Sequence, residues 1–277
     1  MARLFGLIGN RADVAGRVMV HEAFALRVAR GAASFGVGFY EGEEVLVRRR
    51  PVLDGDAVDV ASLLANVRCD SLIAHVACAE VEAGGRRADN THPFRYRQWL
   101  FAQTGRVAGF DEARDALVSS VPDFLRSGIR GDTDAEVLFH MFLSFLHDAG
   151  QLGGRVAAPT AAADALRSAV VQADAVTSQF GAGAPGVNIL ATDGHTLVGF
   201  NGRGGLALRT FAGRADADAI LGDDGQLARR IPELERVSFS LVASDFDSGS
   251  APPGWKAVAD RAMVTVTRGS DAKIEVR

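Results

Sequence analysis

A chain of 277 residues with 48% hydrophobic content can bury a large core as one domain spanning residues 1–277, and its net charge of -4 gives no basic footprint for nucleic acid. The basic runs stop at Arg48 to Arg50 and Arg229 to Arg230, so nucleic acid is excluded as an expected partner. No apolar run approaches the roughly 20 residues that span a bilayer, and two cysteines, Cys69 and Cys78, are too few for a disulfide framework. A protein of the reducing cytoplasm, away from membranes, is the expectation.

Taken in order, Arg3 to Ile8 reads as a short apolar strand ended by Gly9-Asn10. A strand at a terminus is unusual, because termini fray unless tied down. Val14 to Arg30 carries a mixed apolar pattern that predicts a helix. Phe35 to Tyr40 and Glu44 to Arg48 predict a hairpin about Glu41-Gly42-Glu43, and Val58 to Val67 a helix with an acidic start.

Leu72 to Val76 and Trp99 to Ala102 are apolar runs that predict two strands, the second stopped by Gly105, with a polar loop at 84–90 between them. Glu112 to Ser127 and Thr133 to His147 predict helices. Thr133 with Glu136 is a capping box, and Leu138, Phe139, Phe142, Leu143, Phe145 and Leu146 form a wide apolar face. Pro159 opens an alanine-rich helix running to Phe180. Asp193-Gly194 is a hairpin signal between Val187 to Thr192 and His195 to Phe200. Val237 to Ala243, Met263 to Thr267 and Lys273 to Val276 complete the predicted strands. Strands, then helices, then strands suit two antiparallel sheets with helices outside.

One set of motifs runs through these elements. Asn90-Thr91-His92-Pro93-Phe94, followed by Trp99, Phe101, Ala102 and Gly105, resembles the glutaminase domain of class II glutamine amidotransferases. Met1 to Gly6, Gly36 to Tyr40, Ile73-Ala74-His75-Val76, Gly131 to Glu136 and Val242-Ala243-Ser244 extend the resemblance over essentially the whole chain. It implies an α+β fold of the N-terminal-nucleophile hydrolase type, a four-layer αββα sandwich. It also implies a cysteine thiolate that attacks glutamine, with its own α-amine as base, an oxyanion hole and a clamp for the amino-acid head group.

The departures fall on that chemistry. Ala2 stands where the family has its nucleophilic cysteine. Thr104 stands at the oxyanion-hole asparagine, beside a retained Gly105. Ala77 replaces the head-group arginine and Glu80 a threonine, while Asp134 is kept at the position that meets the ammonium. The substrate-binding set implied by the resemblance is therefore Asp134, Glu80, Ala77 and His92, with no intact catalytic group, no cofactor and no metal.

Bland readings stand beside these. Asp134 also complements a helix dipole without a ligand. His75 and His92 read as backbone-bonded core histidines. His140 and His147 lack the carboxylate partner a metal site would want, and Gly202, Gly204 and Gly205 read as a bend rather than a phosphate loop. Trp99 and Trp255 read as core or pocket wall.

Three functions stay open. The chain is an amidotransferase-like protein without glutaminase activity that partners a synthetase, another enzyme-complex subunit or a second copy of itself. Alternatively it is an amidohydrolase of altered mechanism taking a small amine or γ-glutamyl compound, or a Cys-to-Ala variant of an active enzyme.

Overall fold

The computed structural model describes residues 3–23, 32–51, 59–78, 88–222, 225–231, 233–246, 249–269 and 273–275. The first strand, β1 (Arg3–Gly9), is buried at all seven positions. Successive strand residues point to opposite faces, so a strand apolar on both must lie between two other layers. Leu4 and Ile8 enter the core between the sheets, whereas Phe5 and Leu7 enter a second core beneath helices. Gly6 and Gly9 complete the alternation, because a Cβ on Gly6 would press on Leu190 and Leu197 of the opposite sheet, and one on Gly9 would overlap Phe239.

Around β1 a seven-stranded antiparallel sheet assembles from β2 (Ala32–Glu41), β3 (Glu44–Pro51), β4 (Ser71–Cys78), β9 (Ala207–Ala212), β10 (Ser238–Ala243) and β11 (Lys256–Ala257). Its order is β11-β9-β10-β1-β4-β2-β3. The second sheet is six-stranded, ordered β13-β12-β8-β7-β6-β5. It uses β5 (Phe94–Tyr96), β6 (Trp99–Arg106), β7 (Gly186–Thr192), β8 (Thr196–Asn201), β12 (Met263–Thr267) and β13 (Lys273–Glu275).

Helices cover both outer faces. Against the first sheet lie α1 (Ala15–His21), α2 (Val60–Leu64) and α7 (Gly213–Leu221), with Val18, Met19, Leu64 and Ile220 in that core. Against the second lie α3 (Phe110–Ser119), α4 (Asp123–Arg126), α5 (Asp134–Asp148) and α6 (Pro159–Ser178). Phe139 and Phe142 of α5 meet Phe101 and Trp99, the latter edge-on at 5.0 Å. The expected αββα sandwich of two antiparallel sheets is what the chain forms.

Several predicted elements change in detail. The two strands of the central motif are not neighbours, since β4 belongs to the first sheet and β6 to the second. Gly105 does not stop β6, which runs on to Arg106 with Gly105 at φ +85° inside it. There Gly186 O would lie 2.1 Å from an added Cβ, so only glycine allows the β6–β7 approach. The helix predicted from Glu112 to Ser127 is two, broken before Pro122. The helix predicted over 58–67 is the short α2, capped by Asp59 through the Ser62 N–H at 3.1 Å. In the capping box only Thr133 plays its part, accepting from the Glu136 N–H at 3.3 Å. The Glu136 carboxylate turns instead to the N–H groups of Arg130 and Gly131, at 3.0 and 2.6 Å. Strand β9 and helix α7 had no prediction. Of the helix predicted over 14–30, residues 24–30 lie outside the described residues.

The sharpest steric demand is at Gly36 in β2. A Cβ there would fall 1.8 Å from His92 O, on backbone that cannot rotate away. Gly36→Ala is expected to destabilise the fold by about 3 kcal/mol or more, read as a lowered midpoint in denaturant unfolding at unchanged slope.

Candidate functional site

The motif residues collect at one end of the sandwich, where β1 begins and β4, β6 and β10 finish. Arg3 is registered with Val76, and Phe5 with Ala243. Strand alternation decides which side chain looks where. On β4, His75 and Ala77 share the inward face with Ile73, while Ala74 and Val76 face the helices. On β6, Gln103 looks out toward α5 and Thr104 looks in toward the other sheet.

Thr104 is 2% exposed, and its hydroxyl donates to Asp245 Oδ2 at 3.1 Å. Asp245 follows β10 at φ +59° and carries a second hydroxyl on the same oxygen, from Ser244 at 2.5 Å. Its other oxygen faces Arg203 Nη1 at 3.5 Å. Ser244 is fully buried and its N–H donates to Leu4 O at 2.9 Å, which seats this cluster beside the start of β1. Thr104, Ser244 and Asp245 thus join the ends of the two sheets through one carboxylate. Gly105 lies beside them, with Arg203 Cδ 3.0 Å from where its Cβ would be.

Asp134 lies on the other side of β6. Its Oδ2 accepts the Val107 N–H at 2.6 Å and Gln103 Nε2 at 2.9 Å. Burial pushes its carboxyl above the usual range, against those two bonds and the Ala135 N–H, which pull the other way. Asp134 therefore ties the head of α5 to the end of β6 and does not meet Thr104. The Asn90 side chain accepts from the Asp132 N–H at 3.1 Å, which joins the two quoted motif segments directly.

His92 is likewise committed to the scaffold. Its Nδ1 accepts the Gln103 N–H at 3.2 Å, and its ring lies 4.4 Å from His75 and 4.8 Å from Phe94. Arg49 of β3 clasps the same segment, donating to Pro93 O from Nη2 at 2.6 Å and from Nε at 3.1 Å. Burial holds the His75 imidazole down at about 4 and that of His92 well below the usual value. Ala77, 4% exposed and registered with Ser34, offers a methyl on the inward face.

Ala2 and Glu80 lie outside the described residues. His140 is buried with Nδ1 at 2.9 Å from Glu136 O, whereas His147 is exposed on the same helix. Among the described residues no group of three or more His, Cys, Asp or Glu is placed to hold a metal ion. No helix among them is long and apolar enough to cross a membrane. Burial pushes the Cys69 thiol up to about 12, so it is an inert core group. Trp99 is fully buried and Trp255 nearly so, its Nε1 donating to Glu22 Oε2 at 2.8 Å.

A sandwich of this architecture with these motif segments at one end defines the class. The sequence matches the family model described as class-II glutamine amidotransferases over residues 1–215, and the chain belongs to that family. Its structure is similar to that of a glutamine aminotransferase class-II domain protein from Silicibacter pomeroyi, at TM-score 0.60 and 18% identity, covering 99% of this chain and 98% of that one. It is also similar to a predicted glutamine amidotransferase from Pseudomonas aeruginosa, at TM-score 0.57 and 17% identity, covering 99% and 100%. A third similar structure is the allosteric regulatory enzyme of purine biosynthesis, at TM-score 0.55 and 17% identity, where the match covers 99% of this chain and 48% of that one. At such identities the likeness is one of fold. No curated protein matches the sequence.

The residues that sequence reasoning missed are Asp245 and Arg203. The quoted Val242-Ala243-Ser244 stopped one position short of Asp245, and a charged residue directly after an apolar strand was the available signal.

The buried histidines set a pH dependence. A histidine whose folded pKa is depressed adds stability that is present above about 6.5 and is lost as pH falls toward the folded value, because the unfolded chain takes the proton first. Unfolding free energy should therefore fall between pH 6.5 and 4, by about 1.4 kcal/mol per pH unit for each histidine. His75→Asn should reduce that slope in urea titrations run across the interval.

Proposed function

We propose that this chain is a class II glutamine amidotransferase-like protein without glutaminase activity, acting as a binding or assembly partner within an enzyme complex. The observation that carries the reading is the Thr104 to Asp245 hydrogen bond at 3.1 Å. Amide hydrolysis of the family's kind builds negative charge on the carbonyl oxygen, and the enzyme must aim donors at it. The donor at this position is already given to an internal carboxylate. That carboxylate would repel an oxyanion formed beside Gly105, where loss of a single donor alone costs about 2.7 to 4 kcal/mol of transition-state stabilisation.

The remaining groups support the same reading. Ala2 has no nucleophilic atom. Ala77 cannot form the bidentate fork that an arginine offers a substrate carboxylate. Asp134, the retained acid, is bonded to Gln103 and Val107. A scaffold built around these positions survives with its polar groups turned on one another.

On this reading the protein releases neither ammonia nor glutamate from glutamine above the uncatalysed rate, and Ala2→Cys alone leaves it silent. Coupled glutamate-dehydrogenase assays with mass spectrometry of the protein check both. Turnover by the chain as written, or its recovery by the single Ala2→Cys change, would sink the proposal. The second of these outcomes identifies a Cys-to-Ala variant of an active enzyme.

A second reading, an amidohydrolase or binding protein for an amine or γ-glutamyl compound, draws on Asp245. An anionic group where the family stabilises an anion favours a ligand that brings an ammonium instead. Thermal-shift measurements should then show stabilisation by spermidine and little by glutamine, with the spermidine shift lost in Asp245→Asn. Equal silence toward both ligands leaves the scaffold reading alone.

A further inference from the structure

The end of the sandwich opposite Thr104 and Asp245 carries a cleft of about 820 Å3, formed by the β2–β3 hairpin, the β5–β6 turn and the β7–β8 turn. The registers put it there, since Ile8 faces Ser71, Phe39 faces Leu72 and Leu100 faces Thr192 at this end. The floor is Tyr40, 5% exposed, whose hydroxyl lies between Gln98 O and Thr192 O. Val45, Leu46 and Val156 give it an apolar wall.

Its charged groups are not equally free. Glu43 is paired with Arg155. Asp193 is turned into the protein, accepting the N–H groups of Ala157, His195 and Thr196 at 2.8 to 2.9 Å. Arg268 is held by Asp70 at 3.0 Å and by Gly194 O at 2.8 Å. Arg95 and Arg97 remain, neither with a carboxylate partner among the described residues, and exposed His195 stands nearby. Arg95 Nε donates to Arg97 O at 3.2 Å, which leaves both of its terminal nitrogens free to face a ligand. Among the described residues the one unpaired acid on the wall is Glu44.

The backbone is strained at this place, as it is at Glu233, Asp245 and Arg261. Tyr96 pairs with Trp99, so Arg97 and Gln98 form a two-residue turn. Arg97 occupies it at φ +51°, where glycine or asparagine would be expected. An arginine held in that conformation costs stability, which is the kind of strain that collects at ligand sites.

We propose that this cleft is a second binding site, for a small phosphate-bearing anion. The phosphate is gripped by the Arg95 and Arg97 guanidiniums, and the body of the ligand rests on Leu46 and Val156. The planar fork of N–H groups on each guanidinium matches phosphate oxygens, and the volume lies within the range of small-molecule sites. The site is remote from the amidotransferase end and is independent of the activity proposed there.

Inorganic pyrophosphate titrated calorimetrically into the full chain at low ionic strength tests the assignment. Saturable binding is expected, weakened about tenfold by Arg95→Gln and again by Arg97→Gly, as the loss of a charge-assisted bond requires. Glu44→Gln should tighten it a few-fold, and Asp245→Asn should leave it unchanged. Arg97→Gly removes the guanidinium while suiting the backbone at φ +51°, so its melting temperature should hold or rise. The proposal is overturned if pyrophosphate does not bind, or if binding survives both arginine changes in chains that melt normally. It fails too if an acidic peptide binds through these arginines while pyrophosphate is inert.

Discussion

The structure depends on a single constraint, the burial of both faces of its central strands. β1 has no polar face at all, and its neighbours β4 and β10 carry apolar residues on both sides. Such strands are stable only inside a stack of layers, because either face left open would put a row of large apolar side chains in water. Once β1 is committed to the middle, a second sheet must close one side and helices the other. The residues at the strand ends then have no choice but to meet at two rims.

The two rims are chemically unlike. At the first, β6 sends alternate side chains to opposite faces, so Gln103 and Thr104 find different acids. Gln103 takes Asp134 at the head of α5, and Thr104 takes Asp245 across the sandwich. Each acid accepts hydrogen bonds from donors of the protein itself. At the second rim Glu43 and Asp193 are also consumed internally, by Arg155 and by main-chain N–H groups, while Glu44, Arg95 and Arg97 have no ion-pair partner among the described residues. A rim whose acids are taken by its own donors and a rim with two arginines lacking a carboxylate among the described residues are different kinds of surface, and the ligand-seeking one is the second.

Much of this was legible in the residues. The alternation of apolar side chains in Phe35 to Tyr40 and the Asp193-Gly194 turn announced their strands, and Thr133 announced the head of α5. The αββα order followed from the sequence of strand and helix patterns together with the quoted motifs. Strand β9 was not legible, because Ala207 to Ala212 is short, carries Arg209 and Thr210 at its middle, and becomes a strand by pairing with β10 and β11. Nor was the break at Pro122 or the continuation of β6 through Gly105. Each depends on a partner lying far along the chain.

By itself the sequence determined the family, the layered architecture and the absence of a thiol and a guanidinium at positions 2 and 77, because these are properties of residue identity and local period. Only the tertiary structure decided the partners of the polar groups. It gave Thr104 to a carboxylate 141 positions away and bonded Asp134 to the Gln103 side chain and the Val107 N–H. It also left Arg95 and Arg97 without an acid among the described residues. A hydrogen bond is directional and short, so its partner is chosen by the few ångströms that packing leaves between strand ends, and no spacing along the chain encodes that distance.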